Sequence, residues 1–89
     1  MTDDPRILIV DDEVGLADLY TVWLSDDYDV DTAYGGEEAL EKIDSEVDIV
    51  FLDRRMPGTP GDEVLDEIRD RGFECRVAMV TAVGANFDV

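Results

Sequence analysis

Ile7-Leu8-Ile9-Val10-Asp11-Asp12-Glu13 opens with four consecutive apolar residues and closes with three carboxylates. An unbroken apolar run of this length reads as a strand buried on both faces, the pattern of a central strand in a parallel sheet. The abrupt change to acidic residues marks where the strand ends. Two later stretches repeat the design. Ile49-Val50-Phe51-Leu52 is followed by Asp53, and Val77-Ala78-Met79-Val80 is followed by Thr81 and Ala82.

The segments between these runs switch period. Leu16, Leu19, Tyr20, Trp23 and Leu24 fall at i, i+3, i+4, i+7 and i+8, which predicts a helix over residues 14–24 with that stripe, Trp23 included, in the core. Residues 28–33 set Val30 between Asp29 and Asp31, the alternation of a strand near a sheet edge. Gly35-Gly36 breaks it, and residues 37–43 read as a second helix with Ala39, Leu40 and Ile43 inward. Residues 56–61 are a Pro- and Gly-rich loop. Residues 62–71 form a third helix with Val64, Leu65 and Ile68 inward and Gly72 as its stop. Tyr20 and the methionines read as core, and Cys75 as an ordinary reduced thiol. The order βαβαβαβ implies an α/β fold, a doubly wound parallel sheet with right-handed crossovers.

Composition narrows the chemistry. Eighty-nine residues suit one domain, and 45% hydrophobic content is enough for a core. No apolar run approaches the ~20 residues of a membrane helix, and the N-terminus lacks a signal-peptide pattern, so a cytoplasmic location without membrane contact is expected. One cysteine excludes an intramolecular disulfide, and the absence of histidine excludes imidazole catalysis and ligation. Carboxylates remain, and they suit hard cations such as Mg²⁺. With 24 acidic and 7 basic residues the net charge is −17, which argues against direct nucleic-acid binding by this segment. Lys42 is the single lysine. Acidic, lysine-poor composition resembles that of proteins from extreme halophiles.

In an open parallel sheet, ligands bind outside the carboxyl ends of the strands. Asp11, Asp12, Asp53 and Thr81 all follow strands at that edge. Each has a local alternative: Asp12 as a helix cap, Thr81 as a satisfied strand-end hydroxyl. Clustered carboxylates repel unless a cation or a proton joins them, and a bound divalent metal accounts for all of them together.

The ordered set "ILIVDDE" at 7–13, "DRRMPG" at 53–58 and "VTA" at 80–82 resembles the signature stretches of response-regulator receiver domains of two-component systems. The resemblance implies a flavodoxin-like fold with strand order 2-1-3-4, in a family whose complete sheet has a fifth strand. It implies that Asp11 and Asp12 are the metal-binding pair. It implies that Asp53 is the phosphoacceptor and a metal ligand, and that the Arg55 carbonyl is a further ligand to Mg²⁺ or Mn²⁺. Thr81 would bond the phosphoryl group, Ala82 would leave room for it, and Arg55 with Val83 would tune its hydrolysis; alternatively Arg54 and Arg55 are solvated loop cations that offset the nearby carboxylates. A sensor histidine kinase would be the phosphodonor partner. Such a domain catalyses its own phosphorylation and dephosphorylation without being a turnover enzyme. The resemblance spans the chain from 1 to 89 and about three-quarters of a complete receiver. The family's lysine, fifth strand and last two helices have no counterpart here, and Lys42, on the second helix, cannot replace that lysine. An open fourth-strand edge would invite pairing with a second copy, a homodimer. The stretch "RGFECRVAMVTAV" at 71–83, with the acidity, is similar to haloarchaeal HalX-type receivers.

Two alternatives stand beside this. A phosphatase of the haloacid-dehalogenase type would carry a second Asp two residues after its nucleophile, where this chain has Arg55. A degenerate or truncated receiver would act only as a non-phosphorylated binding module. Against a dinucleotide-binding domain, no G-x-G-x-x-G follows the first strand.

A charge of −17 on so short a chain opposes compaction unless it is screened. The Debye length falls from about 10 Å at 0.1 M salt to about 3 Å at 1 M. The melting temperature is therefore expected to rise between ~0.1 M KCl and ~2 M KCl, followed by circular dichroism. A fall over that range would contradict the charge argument.

Overall fold

A computed structural model describes residues 4–80. Seven elements alternate along the chain: β1 Arg6–Val10, α1 Val14–Leu24, β2 Asp29–Ala33, α2 Gly36–Lys42, β3 Ile49–Asp53, α3 Gly61–Asp70 and β4 Arg76–Val80. The four strands make one parallel sheet in the order β2-β1-β3-β4, the doubly wound order expected. Among the described residues no helix is long and apolar enough to cross a membrane.

The two-sided apolar runs fall where their pattern places them. Leu8 and Val10 of β1, with Val50 and Leu52 of β3, face one side. There α2 and α3 cover them through Ala39, Val64 and Ile68, with Ile43 just beyond α2. Ile7 and Ile9 face the other side, where α1 lies. The edge strand β2 alternates exposed and covered residues. The ends of α3 are handled locally. Asp62 and Glu63 sit in the first turn of α3 and Arg69 in its last, complementing the helix dipole. Gly72 takes a φ of +85°, and the N–H groups of Gly72 and Phe73 donate to the carbonyls of Arg69 and Ile68. That is a left-handed stop only glycine adopts without strain.

Helix α1 departs from the expected stripe. Its fully buried residue is Ala17, flanked by Tyr20 and Leu24, while Trp23 is 63% and Leu19 is 41% exposed. The reading of Trp23 as core is corrected. The inward row is Ala17, Tyr20, Thr21 and Leu24. Thr21 donates to the Ala17 carbonyl at 2.9 Å and its hydroxyl pairs with that of Thr32 on β2 at 2.7 Å. A small residue and a hydrogen-bonded threonine let the helix approach the sheet closely, and the indole is left outside, edge-on to Tyr20 at 6.1 Å. Met56 is buried and Met79 packs against the same cluster, while Cys75 is a buried free thiol.

The contrast sets an expectation for stability. Leu8→Ala should cost about 2–5 kcal/mol, because Leu8 is 1% exposed at the sheet centre. Trp23→Ala should cost about 1 kcal/mol or less, the worth of a partly exposed edge-to-face contact. Urea denaturation of both variants checks the order, and a Trp23 loss equal to that of Leu8 would mean that α1 is rotated.

Candidate phosphoryl and metal site

Register builds the site. Val10 of β1 lies beside Leu52 of β3, so Asp11 and Asp53, the next residues along, emerge side by side at the carboxyl edge. Asp12 follows in the turn to α1. One oxygen from each of Asp11, Asp12 and Asp53 lies within 4.8 Å of the others. The three acids singled out in the sequence thus converge.

Asp11 and Asp53 are each only 5% exposed. Each accepts a backbone hydrogen bond from two residues on: Glu13 N–H to Asp11 Oδ1 at 2.9 Å, and Arg55 N–H to Asp53 Oδ1 at 3.1 Å. These tight turns aim both carboxylates across the strand ends. Asp12 does not cap α1, since Glu13 holds the cap position without a side-chain hydrogen bond. Among the described residues, none of the three acids forms an ion pair, and Lys42 is engaged elsewhere by Glu38 and Asp31. Arg54 pairs with Asp62 at 3.7 Å on the surface, and the Arg55 side chain is exposed. Three unneutralised carboxylates this close cost a few kcal/mol in mutual repulsion. Hard, clustered, partly desolvated oxygen donors with no ion-pair partner among the described residues fit Mg²⁺ or Mn²⁺.

The same environment holds the Asp53 carboxyl up at about 6, against an ordinary 3.8. Burial is the main cause, and the nearby Asp11 and Asp12 add to it, while the Arg55 N–H opposes it. Thr81 and Ala82, expected at the same edge, lie outside the described residues, as does Val83. Arg54 N–H donates to the Val80 carbonyl at 3.0 Å, so Val80, the last described residue, reaches this edge.

One residue of consequence was visible in the sequence only as loop composition. Gly61 begins α3, and its N–H donates to the Arg54 carbonyl at 3.2 Å. The closeness of that approach is a tertiary fact with no local signal.

Metal-free stability should follow the Asp53 carboxyl. Its folded pKa is raised, so the neutral form is favoured on folding. The penalty for charging it is absent below about 3.8, grows with pH, and is complete above about 6. In chelator, Asp53→Asn should therefore be more stable than wild type by about 1–3 kcal/mol at pH 7–8, with the gap closing towards pH 4. Denaturation midpoints across this range measure it, and a gap that widens on acidification would contradict the burial argument.

Comparison with known proteins agrees with the geometry. The response regulator receiver domain family matches residues 7–89. A Haloferax volcanii protein, provisionally named a transcriptional regulator, is 56% identical over 84 residues, covering 93% of this chain and 14% of that protein. The chain spans under two-fifths of the length of the curated relatives it matches. The crystal structure of the Thermotoga maritima response regulator TrrA in complex with Mg²⁺ and BeF superposes with a TM-score of 0.80 at 40% identity, over 90% of this chain and 71% of that one. TrrA in complex with the histidine kinase ThkA gives 0.82 at 40% identity, over 96% of this chain and 75% of that one. By sequence and by sheet order, this chain belongs to the response regulator receiver domains.

Proposed function

We propose that Asp53 accepts a phosphoryl group from the phosphohistidine of a sensor kinase, in a reaction dependent on Mg²⁺ or Mn²⁺. The observation that carries this is the convergence of Asp11, Asp12 and Asp53 within 4.8 Å at the carboxyl edge of the sheet. Asp11, Asp12, Asp53 and the Arg55 carbonyl would hold the metal. When bound, it supplies charge neutralisation for the carboxylates and for the phosphoryl oxygens. The TrrA complex with Mg²⁺ and BeF supports this assignment, and the TrrA complex with ThkA supports a kinase partner.

The chain's own residues do the rest. A carboxylate oxygen of Asp53 attacks phosphorus while the bond to the donor nitrogen breaks, leaving an acyl phosphate on Asp53. The Arg55 N–H fixes one Asp53 oxygen at 3.1 Å, so the other is presented to the donor. Thr81 would donate its hydroxyl to the transferred group, Ala82 would leave the space it needs, and the exposed Arg55 side chain would screen it from water. The chemistry is self-modification, with the chain as acceptor.

Incubation with Mg²⁺ and a small phosphodonor, followed by mass spectrometry, tests the assignment. Wild type is expected to gain one phosphoryl group on Asp53, Asp53→Asn none, and Asp12→Ala much less through weakened metal binding. Equal incorporation in Asp53→Asn would overturn it.

A further inference from the structure

We propose that Gly61 is a positioning residue for the carboxylate site: its missing side chain lets the first turn of α3 press against the Asp53–Arg54 backbone and hold Asp53 in line with Asp11 and Asp12. The inference rests on the metal site proposed above and names a residue outside the carboxylate set. A Cβ built on Gly61 would lie 2.5 Å from the Asp53 carbonyl oxygen and 2.9 Å from Arg54 Cα. Both are backbone atoms, so no flexible side chain can swing away, and the strand end or the helix must shift. The peptide that would move is otherwise held on every side. Arg54 N–H is bound to the Val80 carbonyl, the Arg54 carbonyl to Gly61 N–H, and the Asp53 carboxylate to Arg55 N–H.

Relief of the 2.5 Å contact to ordinary van der Waals distance requires a movement approaching an ångström. A constellation of ligands tolerates about 0.5 Å of displacement. The strain therefore falls on the Asp53 side of the metal site. Gly36 is the internal comparison. A Cβ there would also clash, at 2.8 Å from the side chains of Thr59 and Val64 and 3.0 Å from the Thr59 carbonyl oxygen, but not with the strand that carries Asp53. Both substitutions crowd α3, and only one pushes on the carboxylate.

The test is calorimetric titration with Mg²⁺ of wild type, Gly61→Ala and Gly36→Ala, in constant KCl and at a temperature where circular dichroism shows each folded. The expected result is an affinity at least about tenfold weaker in Gly61→Ala, the scale seen when supports of a metal ligand are lost. Gly36→Ala should stay within about twofold of wild type even where its stability loss is comparable. Equal affinity in Gly61→Ala and wild type overturns the proposal, as does an equal loss in both glycine variants. A Gly61→Ala chain that fails to fold even in molar KCl also overturns it, because the clash would then fall on the whole fold. Wild type that binds no Mg²⁺ overturns the metal site itself.

Discussion

The structure depends on the parallel pairing of β1 with β3 in one register. Both strands are apolar on both faces, so the alternation that normally penalises a one-residue slip is weak here. The ends supply the missing specification. At the amino end the Arg6 N–H donates to the Asp48 carboxylate at 2.8 Å, and the Asp48 N–H donates to the Arg6 carbonyl at 2.9 Å. At the carboxyl end Asp11 and Asp53 leave the sheet together, and each turns back to accept an N–H from two residues on. Polar residues thus clamp an apolar ladder whose interior would tolerate other alignments.

That clamp has an energetic consequence. Burying two carboxylates beside each other is unfavourable, and the raised Asp53 carboxyl expresses the strain. Two backbone hydrogen bonds offset part of it. A divalent cation would offset much more, and its binding at this edge would then be coupled to folding. Basic side chains elsewhere in the molecule have partners of their own. Lys42 ties α2 to β2 through Glu38, Asp31 and the Thr32 carbonyl, and Arg71 is held by Glu67 and the Leu40 carbonyl. These two side chains secure helices rather than the acidic edge.

The elements that were legible in the sequence share a physical feature: one dominant signal. Continuous apolar runs announced β1, β3 and β4, and alternation announced the edge strand β2. Gly72 announced the end of α3. Helix α1 was located correctly, with Tyr20 and Leu24 inward as expected, but its face is rotated so that Leu19 and Trp23 lie outside and Ala17 inside. Apolar residues surround it on most sides, so hydropathy could not choose a face. The choice fell to shape and hydrogen bonding, with Ala17 giving close approach and Thr21 meeting Thr32. Gly61 was illegible for a different reason. A glycine in a Pro- and Gly-rich loop looks like turn chemistry, and nothing local says that another strand's backbone lies 2.5 Å from its absent Cβ.

The sequence by itself determined the layer order, the strand ends and the identity of the acids at those ends. These follow from local periodicity, which each segment carries with it. Tertiary structure alone decided that Asp11, Asp12 and Asp53 come within 4.8 Å of one another, that α1 turns Trp23 outward, and that Gly61 presses on Asp53. These are relations between strands far apart in the chain, between faces of equal hydropathy, or, for Gly61, between the end of β3 and the start of α3 across the loop that joins them. Only sheet register and close packing fix them, because a distance between two segments is not a property of either.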